Sequence, residues 1–178
     1  MLSHYLDIVI KRAEVGRQLH ARLLMAVHLC NPQASSLAVS WPDWGHFGGD
    51  FGLVMRVLGP ENSLAHVKAK IAGLVEAKLV FCLAINTIPE TAETVCYKRD
   101  RSFESLSGNR IRRLKRRAEA RGETFELEPS LGAIDHWLPM QSHSTQNTFS
   151  LGIQKVNARS AGAESVDSYG LGMRVPSF

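Results

Sequence analysis

Three features of the sequence predict an α+β fold in two parts. The first half alternates strand-like and helix-like hydrophobic patterns in the order βαββαβ, the positive charge is concentrated in one short segment of the second half, and Gly, Ser and Asn punctuate the rest. At 178 residues, 44% apolar and 21% charged, the chain can bury a core, which excludes wholesale disorder and collagen-like repeats.

The first strand is predicted over residues 4–10 (HYLDIVI). A helix follows over 14–30, with Leu19, Leu23, Ala26, Val27 and Cys30 on one face, and Asn31-Pro32 stops it. Residues 36–44 and 51–58 read as strands separated by a Gly-rich connection at 45–49. Asn62 or Ser63 can cap a second helix running to about Ala77, with Leu64, Val67, Ile71 and Leu74 inward, and residues 79–87 then form a fourth strand. This order reads as a ferredoxin-like module of the kind that RNA-binding proteins share. Pro89 and the Glu/Thr stretch after it mark a boundary, dividing the chain into 1–92 and 93–178.

In the second part, residues 98–103 read as a short strand. Ser107-Gly108-Asn109 offers a cap for a helix (about 107–121) that Gly122 ends. Ile111, Leu114 and Ala118 form a narrow apolar stripe along it, so docking that stripe turns the cations outward. Short strands are expected at 125–127, 149–156 and 165–175, and no internal repeat is present.

The formal charge of +4 says little until it is located. Residues 98–121 hold 10 Lys/Arg against 3 Asp/Glu, a net +7, whereas the remainder holds 11 against 14, a net −3. One basic element on a mildly acidic body is the footprint of a polyanion ligand, since a merely solvated face usually mixes signs. Other classes fall away. No run approaches the roughly 20 apolar residues of a membrane span, and the N-terminus lacks the layout of a signal peptide. Three cysteines (Cys30, Cys82, Cys96) with no CxxC pair support neither a disulfide framework nor a zinc cluster. No HxH, HExxH or clustered carboxylates appear at ligand spacing, so neither metal nor cofactor is expected, and a cytoplasmic location is.

Several separated pieces together resemble the type I-F (Ypest-subtype) CRISPR repeat-processing endoribonucleases, which cut precursor CRISPR RNA at its hairpins. The opening His4-Tyr5-Leu6-Asp7-Ile8 resembles that family's first strand. His28 lies at the end of the first helix, and Val39-Ser40-Trp41-Pro42-Asp43 is similar to the element that follows. The run 110–117 (RIRRLKRR) resembles the family's arginine-rich helix. Gln141-Ser142-His143-Ser144-Thr145, followed by Phe149, resembles its Ser-x-Ser-Thr hairpin segment. Tyr169-Gly170-Leu171 and Val175-Pro176-Ser177-Phe178 match its C-terminal pattern. Relatives commonly carry Arg-x-Gln-x-Lys-Ser before the helix. Here Lys98-Arg99-Asp100-Arg101-Ser102-Phe103 has no Gln, and the loop between His28 and Ser40 is slightly short.

The resemblance implies a metal-independent nuclease in which the RNA's own 2′-hydroxyl attacks, leaving a 2′,3′-cyclic phosphate. His28 would be the base, because imidazole titrates near neutrality, with His20 as the fallback. Ser142 would hold the 2′-hydroxyl or ribose, and Tyr169 would orient imidazole or phosphate. Ser144 and Thr145 would donate to the phosphate. His143, between the two serines, falls on the opposite face if the segment is a strand. Arg110, Arg112, Arg113, Lys115, Arg116 and Arg117 would grip the hairpin, mainly through phosphates, and either Arg99 or Arg101 would fork onto a guanine. Phe149 would stack beneath the closing base pair or else sit in the core. The implied partners are the CRISPR repeat RNA hairpin and the other subunits of a type I-F surveillance complex, with a transposition-targeting protein as a further candidate. The competing expectation is a noncatalytic guide-RNA end cap in such a complex. A generic basic RNA-binding module is a third.

Overall fold

The computed structural model describes residues 2–34, 36–45, 51–90, 93–101, 108–125, 135–142, 145–157 and 166–178. Among them the chain is α+β with two antiparallel sheets. The first part runs β1 (His4–Ile10), a 3-10 turn (Ala13–Val15), α1 (Gly16–Cys30), β2 (Ala38–Ser40), β3 (Val54–Gly59), α2 (Glu61–Lys70), α3 (Ala72–Glu76), β4 (Val80–Cys82) and β5 (Asn86–Thr87). The second runs β6 (Thr94–Asp100), α4 (Gly108–Ala120), β7 (His136–Gln141), β8 (Thr148–Asn157) and β9 (Arg174–Pro176). The sheet orders are β2-β3-β1-β4, with β5 also on β1, and β7-β8-β6-β9.

β1 is central because it is buried on both faces, with Leu6 and Ile8 inside and Asp7 also covered. In the antiparallel register Asp7 faces Arg56 of β3. The guanidinium forks onto the carboxylate at 2.7 and 2.9 Å, a geometry that compensates two buried charges. Its third nitrogen donates to the Phe178 carbonyl at 2.6 Å, and the group lies 3.9 Å from the Phe178 ring centroid. α1 buries the expected Leu19, Leu23, Ala26 and Val27, packing beside α2 and against β7. Asn31 stops it, its Oδ1 accepting from the Ser36 and Leu37 amides.

Several boundaries differ from the sequence expectation. The strand over 36–44 shrinks to Ala38–Ser40, since Trp41 onward turns into an aromatic cluster, and the next begins at Val54 rather than 51. The second helix starts from Pro60, which pre-sets an extended entry, so Asn62 and Ser63 are not its caps. It breaks at Ile71 (φ −98°, ψ 7°) into α2 and α3. The strand over 79–87 splits into β4 and β5, both on β1. β6 begins at Thr94, earlier than position 98. β7 was not anticipated. Residues 166–173 are not strand, and of the described residues in the expected 165–175 only Arg174 and Val175 pair in a sheet, as the start of β9. Ser107 and residues 126–127 lie outside the described residues.

One buried cluster includes side chains from both sheets, among them Leu6, Val57, Tyr97, Leu138 and Ile153. At the seam, Trp41, Trp44, Phe51, Tyr97 and His136 form a ring cluster, and the Tyr97 hydroxyl donates to the Trp41 carbonyl at 2.9 Å. No described helix is long and apolar enough to cross a membrane.

Candidate active site

α1 ends with His28 on its last turn. The imidazole Nδ1 lies 2.6 Å from the Ser168 hydroxyl oxygen, and the ring stacks on Tyr169 with centroids 4.5 Å apart and planes 18° from parallel. Front-half imidazole and rear-half hydroxyl are thus brought together across 140 residues of chain.

The rear partners sit on a tightly built loop. Asp167 Oδ1 accepts from the Tyr169 and Leu171 amides, both at 3.0 Å, forming an Asx-type turn. The Asp167 amide donates to the Leu171 carbonyl and the Gly170 amide to the Asp167 carbonyl. Gly170 has φ +80°, and a Cβ there would meet the Ala38 Cα and the Leu37 carbonyl at 3.0 Å. That close approach lets the Val39 amide donate to the Gly170 carbonyl, while the Gly172 amide donates to Tyr97. The loop is therefore fixed to β2 on one side and β6 on the other. Burial pushes the Tyr169 phenol up, which favours its neutral form. Burial also raises the Asp167 carboxyl, against the opposing pull of its two backbone donors and of Arg99 and Arg101.

Arg99 and Arg101 both line a depression of about 500 Å³ with Lys98, Asp100, Asp167 and Leu171. Both candidate base readers therefore open onto the loop that holds His28, and the geometry does not choose between them.

Ser142 lies on the turn between β7 and β8. Its amide donates to the Asn147 carbonyl and its hydroxyl accepts from the Thr145 amide at 3.3 Å. It lines a second groove, about 460 Å³, with Met25 of α1, one turn before His28. Among the described residues, the imidazole's hydrogen-bond partner is Ser168 and not Ser142. Thr145 is exposed on the same turn, and His143 and Ser144 lie outside the described residues. Phe149 is half-buried on β8 opposite Met140 and packs against the core.

α4 places Ile111 and Leu114 half-buried and Ala118 buried, and leaves Arg110, Arg112, Arg113, Lys115, Arg116 and Arg117 exposed. The helix closes at Gly122 (φ +70°), whose amide and that of Glu123 satisfy terminal carbonyls. The fallback His20 is buried: its Nε2–H donates to the Gly52 carbonyl at 3.0 Å and its Nδ1 accepts from Trp41 at 3.3 Å. Burial lowers its pKa to about 4, and the residue is only 1% exposed.

Sequence reasoning missed Ser168 and Asp167. The Asp-Ser-Tyr-Gly run is a turn signal visible in the sequence, and the resemblance aims its Tyr169, but not Ser168 or Asp167, at the imidazole.

No curated protein matches the chain. The family model described as CRISPR-associated protein (Cas_Csy4) matches residues 5–178, which takes in both sheets, His28, the basic helix and the Tyr169 loop. The chain is therefore a member of the Cas_Csy4 family of CRISPR RNA-processing endoribonucleases, of type I-F.

Proposed function

We propose that the chain cuts precursor CRISPR RNA at the 3′ foot of the repeat hairpin without a metal and then keeps the product as a subunit of a type I-F ribonucleoprotein in the cytoplasm. In the reaction, His28 Nε2 takes the proton of the ribose 2′-hydroxyl. The 2′-oxygen attacks the adjacent phosphorus, the bond to the 5′-oxygen breaks, and that oxygen takes a proton, which the imidazolium can return. The products are a 2′,3′-cyclic phosphate and a 5′-hydroxyl.

The observation that carries this reading is the clamp on His28. With the Ser168 oxygen accepting from Nδ1–H, the Nε2 lone pair is left for the substrate, and the Tyr169 stack fixes the ring plane. A positioned base supplies roughly 10²–10⁴-fold in rate, and in-line alignment of the 2′-hydroxyl several kcal/mol more. Ser142 is assigned to that alignment, and Ser144 and Thr145 to the phosphate. The exposed cations of α4 neutralise hairpin phosphates, which predicts a steep loss of affinity with salt. Arg99 or Arg101 forks onto a guanine, and Phe149 stacks beneath the closing pair. The β2-β3-β1-β4 order, with helices in the β1–β2 and β3–β4 connections, supports a ferredoxin-like unit over 1–92 that carries the base. Residues 93–178 then form the hairpin-binding unit.

The deciding experiment is incubation with repeat RNA in excess EDTA. Cutting continues and yields cyclic-phosphate ends, and a 2′-deoxy sugar upstream of the break stops cleavage but not binding. Binding without cleavage of the all-ribose RNA would leave the end-cap role instead.

A further inference from the structure

The groove beside Ser142 runs between α1 and β7. On one wall α1 presents Gln18, Arg22 and Met25, and on the other β7 presents Pro139 and Gln141. Gln18, Met25 and His28 follow one another along a single helix face, about 15 Å from first to last at 1.5 Å per residue. Two residues before Pro139, on the same face of β7, Trp137 is 49% exposed, the most exposed large apolar side chain among the described residues, with the Arg17 guanidinium 5.5 Å from its ring centroid. No described lining residue of the groove is a carboxylate. A groove lined by one cation, Arg22, beside an exposed aromatic ring that carries a second, Arg17, has the chemistry of a single-stranded nucleic-acid site: guanidinium groups for the backbone and a π-face for a base.

We propose that this α1–β7 groove is a binding track for single-stranded RNA on the 3′ side of the cut, with Arg22 on its backbone and Trp137 as a stacking platform. The inference rests on the hairpin-cleavage reading. If the hairpin occupies the α4 and Arg99/Arg101 surfaces, the strand continuing past His28 needs another path, and the groove begins at the shared Ser142. The track distinguishes a repeat followed by further RNA from a hairpin that ends at its foot, so it gives the enzyme higher affinity for uncut precursor than for its own product.

The test uses a hairpin RNA blocked by a 2′-deoxy sugar at the scissile position, either bare or with about six unpaired nucleotides added at its 3′ end. Affinities are measured at one fixed salt concentration. The extension tightens binding to the wild-type chain roughly tenfold, a gain in the range of one stacked base. Trp137→Ala and Arg22→Gln each cut that gain to twofold or less, Trp137→Tyr keeps most of it, and all variants bind the bare hairpin equally. Equal bare-hairpin affinity also shows that the variants fold. A tail that adds nothing to the wild type, a gain that survives both substitutions, or a gain from a 5′ extension alone would each overturn the track. Failure of the bare hairpin to bind the wild type is a separate result, which overturns the underlying reading and the track with it.

Discussion

At position 20, α1 buries an imidazole among Trp41 and Phe51 and satisfies both of its nitrogens. Eight residues on, at its last turn, the same helix sets a half-buried imidazole against the Tyr169 phenol and the Ser168 hydroxyl. Residue type and helix are the same, so the surroundings alone divide the roles. The first ring is held neutral by burial and is spent on packing two sheets together. The second has its Nδ1 beside the Ser168 hydroxyl, an arrangement that suits the general-base role proposed for it.

The contrast is broken most directly at His28. His28→Ala lowers the cleavage rate by roughly 10²–10⁴-fold while hairpin affinity and thermal midpoint stay near wild type. A single-turnover assay beside a melting curve checks both, and an undiminished rate would remove the base. His20→Ala does the reverse. It opens a cavity and strands the Trp41 N–H and the Gly52 carbonyl, costing about 2–4 kcal/mol of stability in a urea titration. Below its midpoint the folded fraction still cuts within a few-fold of the wild-type rate.

Acid sharpens the same comparison. His20 in the folded chain sits at about 4, below its ordinary 6.5, so between those values the unfolded chain takes up a proton that the folded chain refuses. Stability is therefore full above about 6.5 and declines as the pH falls toward 4, by about 3 kcal/mol. His20→Gln removes that slope. Asp167, raised by burial, contributes with the opposite sign in both proteins, so the difference between them isolates the histidine. Coincident slopes would refute the assignment. The smallest effect is expected at Ser168. Ser168→Ala keeps the Tyr169 stack but removes one hydrogen bond worth about 1 kcal/mol, slowing cleavage about five- to tenfold with hairpin affinity unchanged.

Much of the fold was legible because its signals are local. The HYLDIVI strand, the α1 face, the Asn31 stop and the basic helix with its stripe all emerge from spacing and capping. The failures have physical causes. β7 hid because Pro139 argues against a strand, yet β7 is a sheet edge, where a missing amide is tolerated. The break at Ile71 is invisible in the periodicity, since Ile71 and Leu74 stay buried across it. The expected 165–175 strand overlooked what Asp167, Gly170 and Gly172 jointly demand, a turn with two positive φ angles. At the site, His28 and Tyr169 could be named, but only through a resemblance. Ser168 could not, because a contact across 140 residues leaves no trace in spacing.

The loop strung between β2 and β6 also orders events in time. A ribosome produces the histidine early and must add some 140 further residues before its serine arrives. Throughout that interval the growing polypeptide cannot assemble the clamp. The clamp can close only when both sheets exist, and a message broken before codon 168 yields a product in which His28 has neither the Ser168 hydroxyl nor the Tyr169 ring beside it.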